Sequence, residues 1–378
     1  MAIIPLNQKF HTIDNSVVTK ERGSALVNSQ KEIYLTQDII DTVSAFVGLG
    51  GTQYVFVTAN GTNVQNAAEL QAAYVTAQGM SPSITNRITV IAAPGNYDFS
   101  TANFEMDTQY IDLVSLDGNR SIVFNGLNTI DITANDVFVR GVDVGTLNFT
   151  LANSLNLLRV ENCQGGDNSF GGQGTASGTF TNCTGGFASF GGGGGTANGT
   201  FTNCTGLVYS FGGDFGGIAS GTFTDCIGTD YSFGGDGGTA SGVFTNCQSG
   251  VDSFGGSGGT ASGVFTSCTG VDVSFGGQGT ASGTFNSCTG GDESFGGTAT
   301  ASGVFTNCTG GFASFGGSGG TANGTFNSCI GGDESFGKGG VLNGFLYYCR
   351  LILGTFQIVS GGGRTVLCID GNNNQNNQ

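Results

Sequence analysis

Three sets of side chains in this sequence have types and spacings that could carry chemistry. Five aspartates, Asp167, Asp230, Asp272, Asp292 and Asp333, each stand four residues after a cysteine, and Glu293 and Glu334 follow two of them. Paired carboxylates at suitable separation perform acid/base work on glycosides. Asp292, Asp333, Glu293 and Glu334 are therefore the candidate catalytic set, with a polysaccharide as substrate. Against this, the same slot holds Phe187, Val208 and Phe312 in other repeats. His11 is the sole histidine, and no Lys or Arg lies between Arg159 and Lys338. The acids are expected to be solvated rather than catalytic.

The second set is the eleven cysteines. A metal column or Cys/His catalysis needs partners that are missing around them. A disulfide framework would show irregular spacing, and parallel stacked side chains fit bridge geometry poorly. Free, buried thiols acting as small hydrophobes are expected. The third set is outward threonine, with Thr179, Thr181, Thr200, Thr202, Thr222 and Thr224 as surface-recognition candidates. β-branched preference for strand surfaces accounts for such columns. Glycan or cell-surface contact is the functional reading. No cofactor is expected. Structural calcium remains open, since GGDGG and GGQGG segments are superficially similar to short calcium-binding glycine loops.

What must position these residues is an internal repeat. Cys163, Cys183, Cys204, Cys226, Cys247, Cys268, Cys288, Cys308, Cys329 and Cys349 recur at gaps of 20, 21, 22, 21, 21, 20, 20, 21 and 20. Each lies in text such as GTASGTFTNCTGGFASFGG. From cysteine to the phenylalanine of SFGG is always seven residues, and from the GxF phenylalanine to the cysteine always three. The remaining interval varies, from ten between Phe170 and Phe180 to twelve between Phe211 and Phe223. All insertions thus fall in one glycine-rich corner. One such unit cannot bury its own apolar face and must stack on its neighbours.

Glycine interrupts every possible helical run. TASGTFTN alternates with period two, as a strand does. Ala176, Gly178 and Phe180 should face in, and Thr175, Ser177, Thr179 and Thr181 out. Phe180 and Cys183 have opposite parity, so both face in only if the chain bends near Asn182. The fold class expected is all-β: a single-stranded right-handed parallel β-helix with about 20–22-residue coils and a small N-terminal α/β cap. Its core should contain Phe170, Phe180, Phe190, Phe201, Phe211 and Phe223 in two columns, with Cys183, Cys204 and Cys226 in a third.

Along the chain, residues 1–50 read as an N-terminal arm or attachment region and 51–86 as a helix-containing cap. The helix is expected over 67–79, with Leu70, Ala73 and Tyr74 on one face. Residues 87–160 form Ile/Val-rich coils, 161–340 the Gly/Thr/Phe/Cys repeat, and 341–369 the C-terminal coils, with Phe356 and Val359 in the Phe and Cys slots of GTFQIV. Residues 370–378 should be a frayed polar tail. The net charge is -16 with only 11 basic residues. That argues against nucleic acid and anionic membrane surfaces as partners. MAIIPLNQKF lacks the basic region and apolar run of a signal peptide.

YVFVTANGTNVQNAAELQAAYVTAQG, then NRITVIAAPGNYDF and stacked coils, resembles the pectin-lyase-like β-helix proteins of tailed, especially marine, bacteriophages. The resemblance implies a fibre, spike or other virion surface protein, made without a signal peptide and found on the virion surface or extracellularly. It implies self-association, usually as a homotrimer. It also implies attachment to other virion proteins through the N-terminus, and contact of the β-helix with host glycans or surface. Some such proteins cleave polysaccharide. A self-assembling extracellular filament is an alternative. So is ice binding, because the T-x-T text resembles the ice-binding face of β-helical antifreeze proteins.

Overall fold

A computed structural model describes residues 26–27, 33–34, 53–125, 130–146, 148–152, 155, 157–213, 215–352 and 362–376. Most of the expected N-terminal arm, and Phe356 and Val359, lie outside the described residues. The described chain is an all-β parallel β-helix with a coil of about 21 residues. One sheet of 15 strands runs its length, from Gln53–Val57 to Arg364–Val366. A second sheet of nine two-residue strands runs beside it, from Thr175–Ala176 to Val341–Leu342. A third side is a ladder of single parallel bridges running from Asp143 through Gln164 and Thr184 to Ile330.

Register is strict, because a one-residue slip would turn Phe180 outward. Phe180 pairs with Phe201, Phe201 with Phe223 and Phe223 with Phe244. Val160 sits in the same slot one coil earlier. The GxF rings stack on one another, and so do the SFGG rings. Phe223 and Phe244 have centroids 4.8 Å apart and planes within 3°. Phe233 and Phe254 lie at 4.9 Å and 7°. Across the interior the two columns meet edge to face, Phe233 on Phe244 at 5.9 Å and 90°. Edge-to-face and near-parallel contacts both suit the ring quadrupole. The cysteines make the third buried column.

The bend required between Phe180 and Cys183 is present. Asn182 adopts φ 53°, the left-handed region, and this turns Cys183 inward. Asparagine tolerates that region well. Two more left-handed residues, Ala188 and Phe190, follow in the same coil. In other coils the first of these two slots holds Asp252, Glu293 and Glu334. This settles their orientation. Strand parity alone would send them toward the phenylalanines, and the backbone turn removes that conflict.

Helix α1 spans Asn63–Gly79, four residues longer at its start than the sequence pattern indicates. Its start is fixed by a capping box: Thr62 accepts from the Gln65 backbone, and the Gln65 side chain accepts from the Thr62 backbone. Leu70, Ala73, Tyr74 and Ala77 are buried, and Tyr74 meets Phe104 edge to face at 5.5 Å. The expected frayed tail needs correction. Gln375–Asn376 pairs antiparallel with Cys368–Ile369. Asp370 closes the turn by accepting from the backbone N–H groups of Asn372 and Asn374. The aspartate gives the polar run a local hydrogen-bonded turn that its composition does not suggest.

Candidate functional surface

The five aspartates lie on one side of the coil, and each has a structural task. Asp167 Oδ1 accepts the Phe187 N–H of the next coil at 2.8 Å. Asp230 accepts from Val251 at 2.9 Å, Asp272 from Asp292 at 2.9 Å, and Asp292 from Phe312 at 2.6 Å. Each carboxylate therefore caps an N–H one coil further on, which would otherwise lack a partner in the turn. Asp333 accepts from the Glu334 N–H and from Lys338 Nζ at 2.7 Å. That lysine draws the Asp333 carboxyl below its ordinary range. A general acid needs the opposite shift. Asp292 and Asp333 stand two coils apart, about 10 Å along the axis at ordinary strand spacing. The coil between them carries Phe312, an exposed ring, in the aspartate slot. Glu293 and Glu334 lie beside these aspartates with left-handed backbones, and Glu293 accepts from Gln278 Nε2 at 2.9 Å.

Basic and acidic groups meet most closely elsewhere, in the first coils. Arg87 pairs with Asp112 at 2.6 Å and with Asp136 at 2.7 Å. Asp112 is buried and also accepts the Phe138 N–H. This is a satisfied internal network tying three coils together, with its carboxylates already bonded.

The surface acids also interact among themselves. Burial, then Asp236 and other nearby carboxylates, raise the pKa of Asp252, despite hydrogen bonding from Ser257. A carboxyl whose folded pKa is raised binds its proton more tightly folded than unfolded. Stability therefore increases as pH falls through the folded value toward the unfolded one, and the penalty is full above the folded value. Asp252→Asn should raise the melting temperature at neutral pH. The gain should vanish below the unfolded carboxylate pKa of about 4. A pH-independent change in thermal melts would refute this.

The thiols are all free and buried. Cys226 Sγ lies 3.4 Å from the Phe201 carbonyl of the preceding coil and 3.4 Å from the Thr224 carbonyl, and the same pair of contacts recurs along the column. Burial pushes the Cys163 and Cys204 thiols up, which favours their protonated form. The thiolate is the reactive form. A chromogenic disulfide reagent should leave the native chain unmodified and titrate eleven thiols after unfolding. Rapid partial reaction of the folded protein would contradict the buried column. Among the described residues, no group of three or more His, Cys, Asp or Glu is placed to hold a metal ion.

The threonine face is in register. Thr179 pairs with Thr200 and Thr200 with Thr222, and Thr181 with Thr202 and Thr202 with Thr224. The outer column continues through Val243 and Val264 to Thr284; up to the Val264–Thr266 strand its residues are exposed and those of the other column half-buried. From Thr179 to Asn327 neither column carries a charged side chain.

Two regular features escaped the sequence reading. The serine of every SFGG is buried, from Ser169 to Ser335. Its hydroxyl donates to a backbone carbonyl of the preceding coil, as Ser294 does to Val271 at 3.3 Å. Its invariance of phase in the repeat was the available signal. The Asn182 slot also forms rungs, Asn203 Nδ2 donating to Asn182 Oδ1 at 2.8 Å. Among the described residues, no helix is long and apolar enough to cross a membrane. Comparison with protein families, curated proteins and solved structures finds no match to this chain.

Proposed function

We propose that this chain is a non-enzymatic structural or adhesive fibre protein. In this reading it is a virion surface component that attaches through its N-terminal region, self-associates as a homotrimer, and presents the β-helix to a host surface or glycan. One observation carries the non-enzymatic part: both aspartates of the would-be catalytic pair already have structural partners, Asp292 accepting the Phe312 N–H of the next coil and Asp333 accepting the adjacent Glu334 N–H and Lys338 Nζ. The rod itself supports the structural part. Fifteen strands at about 4.8 Å spacing give a stiff element about 67 Å long, with its core continuous from end to end. The uncharged threonine face is a regular contact surface on an otherwise acidic molecule.

The test separates the two roles of the acids. Asp292→Ala should cost about 0.5–1.5 kcal/mol through the lost acceptor, while Asp292→Asn retains an oxygen there and should cost less. Neither variant, nor Asp333→Ala, should alter any action on polysaccharide, because the wild type should release no reducing ends. Depolymerisation that disappears on changing Asp292 and Asp333 would replace the fibre reading by the enzyme one. Imaging of the native assembly tests N-terminal attachment and trimer formation directly.

A further inference from the structure

Three successive coils break the repeat together on one strip of surface. Phe187 takes an aspartate slot, and Tyr209 and Tyr231 take the next position in the two following coils. The Phe187 and Tyr209 rings meet edge to face at 5.2 Å and 85°. Tyr209 and Tyr231 lie at 5.2 Å with planes 38° apart. Phe187 is 43% exposed and Leu207 beside it 49%, and both tyrosines are half-buried. Such a row contrasts with Phe312, which occupies the same kind of slot beside Ala313. A contiguous, partly exposed apolar row of this kind marks an interaction site.

The rim of this row is acidic. Asp167 and Asp230 are fixed in place by the N–H groups they accept. Asp252, Asp230 and Asp236 lie close enough to Tyr231 to act on its hydroxyl electrostatically. No Lys or Arg occurs in the sequence between Arg159 and Lys338, and Arg120, which reaches the Phe187 coil, is engaged by the Asn182 carbonyl and the Thr184 hydroxyl, so the acidic rim disfavours polyanions. What remains is a ligand with flat apolar faces and hydroxyl donors. Pyranose rings have both, their C–H faces stacking on aromatic rings and their hydroxyls donating to carboxylates. The row also advances by one coil per ring, about 4.8 Å, comparable to one sugar in an extended chain.

We propose that Phe187, Tyr209 and Tyr231 form a binding strip for a neutral polysaccharide lying along the β-helix axis. This rests on the adhesive reading and gives it a location distinct from the threonine face. The variant Phe187→Asp, Tyr209→Ala, Tyr231→Ala tests it. It installs only residue types that the repeat already carries at those slots, as at Asp292, Ala188 and Ala313, so folding should be retained. Full-length protein is titrated calorimetrically with cellohexaose, xylohexaose, mannohexaose and chitohexaose. The chain has nine tyrosines and no tryptophan, so tyrosine emission provides a second readout. At least one sugar should bind the wild type, independently of salt, and the variant should bind it about tenfold or more weakly.

Absence of binding to every hexasaccharide overturns the proposal, as does unchanged binding by the variant. Binding that collapses in high salt would do so as well, since it indicates that charge rather than ring stacking holds the ligand. Adhesion of intact protein to polysaccharide-coated surfaces separates the two levels. If the variant adheres as well as the wild type, the strip is refuted and the adhesive reading stands. If the wild type adheres to none, the adhesive reading falls with it.

Discussion

Phe244→Ala is expected to destabilise the chain by about 3–5 kcal/mol, the range for removing a fully buried aromatic ring. Phe244 has no solvent exposure. It lies between Phe223 and Phe265, each 4.8 Å away, and edge-on to Phe233 and Phe254 at 5.9 and 5.5 Å. Neighbouring rings cannot close the gap, because their own positions are set by the strand ladder. In a solenoid the damage also falls on nearest-neighbour coupling. The guanidinium transition should shift to lower denaturant and broaden or split as the two halves of the rod lose their coupling. Phe244→Leu should be milder, since Leu346 and Val160 fill that slot in end coils. Phe345→Ala, at an exposed ring on the outer face of the same sheet, should change stability by no more than about 0.5 kcal/mol. A single sharp transition near the wild-type midpoint for Phe244→Ala would mean that the ring column does not hold the rod together.

The architecture was legible because the repeat fixes the phase of Phe and Cys, and one misplaced strand would expose every ring. Even the bend at Asn182 followed from parity alone. The stretch from cysteine to SFGG was not legible. Its two left-handed residues are filled in most coils by types such as Ala188, Tyr209, Val273 or Glu293 and by phenylalanine, which give no local sign of a positive φ. The start of α1 was visible as Thr62 and Gln65, but a capping box is weak until a helix follows it. The structural task of the acids was hidden for a different reason. Solvated carboxylates were expected, but whether an aspartate also accepts a hydrogen bond depends on which N–H the next coil presents. That depends on the turn geometry that sequence periodicity leaves undefined. Of the aromatic strip only Phe187 interrupts the aspartate slot, with Tyr209 and Tyr231 one position later, and only stacking of the coils shows that Tyr209 meets both Phe187 and Tyr231.

Glycine substitutions distinguish two constraints that the composition of 71 glycines merges. Gly263→Ala should cost about 3 kcal/mol or more, at or beyond the upper end for overpacking. A Cβ there would lie 2.2 Å from the Gly242 carbonyl oxygen and 2.9 Å from the Ser241 carbonyl carbon. Both are backbone atoms, and Gly242 O already accepts from Val264 N at 3.0 Å. Relief would require prising apart the coils that this bond joins. The same contact recurs where Gly242 meets Gly221 and Gly283 meets Gly263, so the column sets how closely successive coils approach. Gly258→Ala is the contrasting case. Its φ is +70°, but an added Cβ meets nothing within 4 Å. The cost there should be the backbone penalty alone, about 1–2 kcal/mol. Paired denaturation curves therefore measure stacking against conformation. Equal losses would mean that the glycine corner and the glycine column serve the same backbone need. A much larger loss at Gly263 would show that glycine is required in the column for close approach, and that the corner can accept side chains where the coil turns toward solvent.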